Sequence, residues 1–139
     1  MGATATESVE GRVVIVIPGR PMPKQRPRVA MRGRKLYVYT PEETVEYEQR
    51  VALFARSAMR GREPFSGLVT VSIRLYLSEA APVHSRRKTT PDVDNVAKAI
   101  LDGLSGIVYT DDRWVELGGV QRVWNSDEER AEVIVKPKY

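Results

Sequence analysis

From Val69 to Leu77 the chain alternates without a break: Val69, Val71, Ile73, Leu75 and Leu77 take one parity, and Thr70, Ser72, Arg74 and Tyr76 the other. Successive side chains of a strand point to opposite faces, so this segment is a half-buried strand with one face that must be covered. The sequence also supplies the cover. Thr40-Pro41-Glu42-Glu43 reads as a helix start, with Thr40 as N-cap, Pro41 at the first helical position and Glu43 completing a capping box. Tyr47, Val51, Phe54, Ala55 and Ala58 then recur at helical spacing, and Gly61 reads as the C-cap. A second helix starts near Asp92 or Asp94, turns Ala97, Ile100, Leu101 and Leu104 toward the core, and stops at Gly103 and Gly106. Val13-Val14-Ile15-Val16-Ile17 reads as a short buried strand ended by Pro18-Gly19. Pro21, Pro23 and Pro27 keep the following loop extended, and Leu36 to Tyr39 closes it as a short strand. Two later strands, roughly 115–124 and 130–136, join through Asn125-Ser126-Asp127 into a final hairpin. Residues 1–11 are expected to be a disordered tail and 12–139 a single domain. The mixture of elements predicts a two-layer α+β architecture.

Composition narrows the chemistry. The chain has no cysteine, which excludes disulfides, thiolate zinc sites and thiol nucleophiles. Its one histidine, His84, cannot build a histidine-rich metal site. No segment approaches the roughly 20 apolar residues of a membrane span, and no secretory signal is evident. A cytoplasmic protein with no membrane partner is therefore expected. The net charge is +4, and its distribution matters more than its size. Between Glu10 and Glu42 there is no acidic residue, yet Lys24, Arg26, Arg28, Arg32, Arg34 and Lys35 fall there, with Arg12 and Arg20 before them. Arg86-Arg87-Lys88 forms a second cluster. Such clusters bind phosphate backbones, so both are expected to face DNA.

Against that basic background stands Pro91-Asp92-Val93-Asp94-Asn95-Val96-Ala97-Lys98, followed by Asp111-Asp112. Aspartates commonly cap helices and fill turns. Here, however, two carboxylates lie two residues apart, and Asp94, Lys98 and Asp102 share one helix face at i, i+4 and i+8. Ile107-Val108-Tyr109 is apolar enough to run back across the domain and return Asp111 or Asp112 to the helix start. Carboxylates gathered in one pocket repel unless a cation lies between them. Mg²⁺ is held by a few carboxylates plus water and phosphate oxygens, and it stabilises the charge that develops when a phosphodiester is cut. A calcium loop is excluded, because its glycine and distal glutamate are missing. The residues read as a metal-dependent nuclease.

At these residues the chain resembles the RusA family of phage and prophage Holliday junction resolvases. The resemblance rests on Pro91-Asp92-x-Asp94-Asn95-x-x-Lys98-x-x-x-Asp102-x-Leu104-x-Gly106 and then Asp111-Asp112-x-x-Val115. It extends to Gly19-x-Pro21-x-Pro23-Lys24-x-Arg26-Pro27-Arg28 and Tyr39-Thr40-Pro41-x-x-Thr44-x-x-Tyr47-Glu48. It implies a RusA-like mixed sheet with two main helices packed on one face, and a homodimer that nicks opposed strands of four-way DNA junctions with Mg²⁺, or Mn²⁺ in its place, in recombination and repair. By the same resemblance, Asp92, Asp94 and Asp112 match the metal-binding carboxylates and Lys98 the catalytic lysine. Asn95, Asp102 and Asp111 match positions around them. Trp114 stands where the family usually carries a polar residue, often glutamine. The competing readings are a flap or fork endonuclease and a junction-binding protein without catalysis.

Overall fold

The computed structural model describes residues 11–82 and 91–139. The alternating segment forms β4 (Val69–Tyr76), and its apolar parity is wholly buried. In chain order the other elements are β1 (Val13–Pro18), β2 (Arg28–Arg32), β3 (Lys35–Tyr39), α1 (Glu42–Met59), α2 (Val93–Leu104), β5 (Val115–Val123) and β6 (Arg130–Pro137). Four strands make a mixed sheet in the order β1-β6-β4-β5. β6 runs antiparallel to both β1 and β4, whereas β5 runs parallel to β4.

Register explains the core. Val13, Val135 and Val71 lie side by side across β1, β6 and β4, as do Ile15, Val133 and Ile73, and then Ile17, Ala131 and Leu75. All nine are buried. Onto this face α1 packs Tyr47, Val51, Ala55 and Met59, and α2 packs Val96, Ala97, Ala99, Ile100 and Leu104. Each fully buried aliphatic side chain contributes about 1.5–3 kcal/mol relative to exposure. The helices meet closely at Gly103, where a Cβ would lie 2.7 Å from Val51 Cβ. This is the α+β architecture expected, a mixed sheet with two helices on one face.

Several local expectations are corrected. The last two strands are not a hairpin, because β4 lies between β5 and β6. The 125–126 turn instead wraps over the end of β4: Asn125 and Ser126 donate their N–H groups to the Glu79 and Leu77 carbonyls. β1 is half-buried rather than buried, since Val14 and Val16 face outward on a one-sided sheet. Thr40 does not cap α1. Pro41 takes the N-cap position without a side-chain bond, and its carbonyl accepts from the Thr44 and Val45 N–H groups. Glu43 and its neighbour Thr44 face the proline segment instead, with Thr44 Oγ1 accepting from Gln25 N–H and Glu43 Oε2 from Gln25 Nε2. The α1 C-cap is Arg60, in the left-handed region, rather than Gly61. At β5 the register slips beside Gly118, where a Cβ would lie 2.9 Å from Ser72 Oγ.

The cationic loop is also more ordered than expected. β2 and β3 form a separate two-stranded ribbon, hydrogen-bonded to no strand of the main sheet. Pairing places Arg28, Ala30, Arg32, Lys35, Tyr37 and Tyr39 on one face and Val29, Met31, Leu36 and Val38 on the other. The four aliphatic residues are 63–69% exposed. No helix among the described residues is long and apolar enough to cross a membrane.

Candidate active site

α2 begins at Asp92, whose Oδ1 accepts from Asp94 N–H (2.9 Å) and Asn95 N–H (3.2 Å). At α2 the capping role that aspartates often play is thus filled by Asp92. The aspartate stands on the positive end of the helix dipole, which favours anions. Arg122 of β5 fastens this end by donating from Nη2 to the Pro91 carbonyl (2.8 Å). Asp94, Lys98 and Asp102 are exposed along one face, as their spacing predicted. At 1.5 Å per residue, Asp94 and Asp102 are about 12 Å apart along the axis.

The proline segment lies across this face. Lys24 N–H donates to the Asn95 carbonyl (2.8 Å). The Lys24 ammonium donates to Asp102 Oδ2 and lies 3.3 Å from Glu48 Oε2. The hydrogen bond to Asp102 holds the Lys24 pKa above its ordinary value despite the opposing effect of burial. Lys24 therefore belongs to the site's own charge network rather than standing as a free phosphate binder. Two adjoining clefts open here. One, of about 590 Å³, has Arg20, Lys24 and Arg26 on one wall and Pro91, Asp92 and Asn95 on the other. The second, of about 270 Å³, adds Pro27 and Lys98. A larger cleft between β1 and α1 shares no residue with either.

The return segment takes a different path from the one expected. Val108 N–H donates to Leu104 O, and the Tyr109 hydroxyl to Leu101 O (2.6 Å), so residues 107–109 fold against the C-terminal half of α2. Asp111 and Asp112 follow immediately, just before β5, whereas Pro91 is held from the far end of that strand. Asp112 opens a short 3₁₀ turn, Asp112–Trp114, capped by Asp111. Asp111 Oδ1 accepts from Arg113 N–H (3.0 Å), which is the main reason its carboxyl lies below the usual range. The hydrogen bond shared with Asp111 pushes Asp112 upward, with partial desolvation and the charges of Asp111 and Asp102 adding to it. Burial, then the charges of Asp112 and Asp102, keeps Tyr109 neutral far above neutral pH.

The structure thus divides the acidic set. Asp92 and Asp94 occupy the start of α2; Asp102, Asp111 and Asp112 gather toward its other end. Among the described residues no group of three or more His, Asp or Glu side chains is placed to hold one metal ion. The donors fit a hard divalent ion of the Mg²⁺ type, which takes one or two carboxylates and completes its shell from phosphate and water. They do not form a three-carboxylate cage within one chain. Arg26, Arg28, Arg32, Arg34 and Lys35 are exposed. His84, Arg86, Arg87 and Lys88 lie outside the described residues. Sequence reasoning gave no site role to Arg122, Gln25 or Glu48; only Glu48 carried a signal, as the end of a motif.

Two comparisons bear on this geometry. The family model described as Endodeoxyribonuclease RusA matches residues 18–136. A curated relative, the uncharacterized protein YqaN of Bacillus subtilis (strain 168), is 30% identical over 131 residues, covering 85% of this chain and 91% of the relative.

Proposed function

The chain belongs to the RusA endodeoxyribonuclease family, and from that premise we propose that it resolves four-way DNA junctions by divalent-metal-dependent paired nicks, acting as a homodimer. The supporting observation is the cleft at the start of α2. Asp92 lines it, exposed Asp94 lies two residues further along the same helix start, Lys98 follows one turn later, and Lys24 and Arg26 form the facing wall. On that wall Lys24 is engaged by Asp102, so exposed Arg26 is the cation that draws in a backbone, and the acidic pair gives a metal its protein ligands.

In this reading Asp92 and Asp94 hold the ion, with Mg²⁺ or Mn²⁺ as the candidates. When bound, such an ion polarises the phosphoryl oxygen and lowers the pKa of its water. Lys98 places a positive charge beside the phosphate, where negative charge grows as the bond breaks. The helix dipole adds to that stabilisation once the carboxylates are neutralised. Asp112, sharing a hydrogen bond with Asp111 and feeling the charge of Asp102, adds to the acidic set from the other end of the face. Asn95 fixes the proline segment through its carbonyl. The ribbon's aliphatic face supports self-association, because a two-stranded ribbon is marginal alone and four exposed aliphatic residues call for a cover.

The test is nicking of a synthetic four-way junction, a Y-fork and a linear duplex, with Mg²⁺, with Mn²⁺ and with EDTA. Nicking should require metal and favour the junction. Asp94→Asn should lower the rate by at least about 100-fold, the scale for losing a group that acts on developing charge, while junction affinity changes little. Nicking in EDTA, or parallel loss of binding and cutting in Asp94→Asn, would refute the metal role.

A further inference from the structure

We infer that the cationic face of the β2–β3 ribbon is a stacking platform for bases left open at a DNA branch point, with Tyr37 and Tyr39 as the contacting rings. The inference rests on the proposed junction reading and names which part of the substrate this surface takes. Tyr37 and Tyr39 project from the same face of β3, with centroids 5.8 Å apart and planes 38° from parallel. They remain 41% and 40% exposed. The Arg32 guanidinium lies 5.5 Å from the Tyr37 centroid, and Arg28 and Lys35 share the face. No carboxylate occurs on either strand. Cations beside open aromatic rings are the surface that binds unpaired nucleotides: the charges follow the backbone and the rings take the bases.

Duplex DNA offers such rings nothing, because its bases are already stacked. When a four-way branch is held open, the base pairs that border it have lost a stacking neighbour on one side. The ribbon is also attached in the right place. Its root is Arg28 paired across from Tyr39, and Arg28 follows Pro27, which lines the same cleft as Lys98. Tyr37 lies two residues farther out, about 7 Å along the strand. A phosphate held at the cleft would thus leave the neighbouring bases within reach of both rings. Tyr39 takes the base nearer the scissile phosphate and Tyr37 the next.

The test pairs Tyr37→Leu and Tyr39→Leu, which keep bulk and strand preference but lose the ring, with Tyr37→Phe and Tyr39→Phe, which keep it. Each is titrated, with Ca²⁺ replacing Mg²⁺, against a four-way junction carrying 2-aminopurine at the branch and against a linear duplex. The Leu variants should bind the junction about 5- to 150-fold more weakly per ring, the range for base–aromatic stacking, and lose the 2-aminopurine response. The Phe variants should match wild type, and duplex binding should be unaltered throughout. If wild type binds the junction and the Leu variants bind it equally well, the platform is refuted and the junction reading stands. If wild type does not favour the junction over the duplex, the underlying reading fails. Unfolding of the Leu variants would show that the rings support the fold, which also overturns the inference.

Discussion

Gly103→Ala tests how α2 and its acidic start are positioned. The added Cβ would lie 2.7 Å from both Cβ and Cγ1 of Val51 and 3.0 Å from the Glu48 carbonyl oxygen. Carbon atoms rest at about 3.5–4.0 Å, so the two helices must part by about 1 Å. Rotamer change gives little relief, because Val51 Cβ and the Glu48 carbonyl are fixed to the backbone, and valine in a helix keeps one χ1 well. Overpacking of this kind costs about 1–3 kcal/mol, and the rigid obstacles place it near the top of that range. Alanine returns about 1 kcal/mol through helix propensity. The net loss is about 2 kcal/mol, a fall of about 1 M in the urea midpoint for m near 2 kcal/mol/M. Because α2 carries Asp92, Asp94 and Lys98, a displacement of that size should also slow nicking, by up to about 100-fold. Adding Val51→Ala removes the Cγ1 contact but leaves Cβ, so the double variant should recover part of the loss. Urea unfolding and junction nicking on the three variants decide the matter. A Gly103→Ala protein as stable as wild type would show that the helices part freely and that this glycine does not set the α2 position.

Acid stability should report on Glu129. Burial pushes its carboxyl up, but the Ser78 N–H and hydroxyl and the Arg20 guanidinium (2.6 Å) outweigh that and leave it below the ordinary range. A depressed folded pKa means stability present above the unfolded value and lost as pH falls through the folded one. Glu129→Gln should therefore cost about 1 kcal/mol at pH 7, and much less near pH 3, by urea midpoint; a constant gap would refute the linkage. Val38→Asp, on the ribbon's aliphatic face, should shift the proposed dimer to monomer in sedimentation velocity, and its thermal midpoint should fall only by the stabilisation that association supplies. An unchanged sedimentation coefficient would remove that face from the interface.

Local patterns carried the elements well and their arrangement poorly. β4 was legible because strict alternation has one physical reading, and α2 because an apolar stripe and an acidic start coincide. Strand order was not legible. β5 and β6 are separated by β4 through ladder bonds between residues more than 45 positions apart, and no short window encodes those. Thr40-Pro41-Glu42-Glu43 has every local feature of a capping box, yet Gln25 claims Glu43 from elsewhere in the chain and the helix starts after Pro41. The ribbon was half visible: β3 has a β-rich run, whereas β2 is interrupted by the arginines that make it useful. At the site, the Asp92–Lys98 spacing survives intact because a helix fixes it. The placement of Asp111 and Asp112 depended on a parallel crossover, which sets the end of α2 beside the start of β5 and which the sequence does not announce.

The strand order has a temporal consequence. β6, the last of the described strands along the chain, sits between β1, the first of them, and β4. Until it arrives, β1 has no hydrogen-bonded partner and half of β4's ladder is empty, so the apolar rows cannot close. Synthesis up to β5 therefore yields no partial version of this sheet: the acidic helix gains its floor only when β6 slots between strands already made.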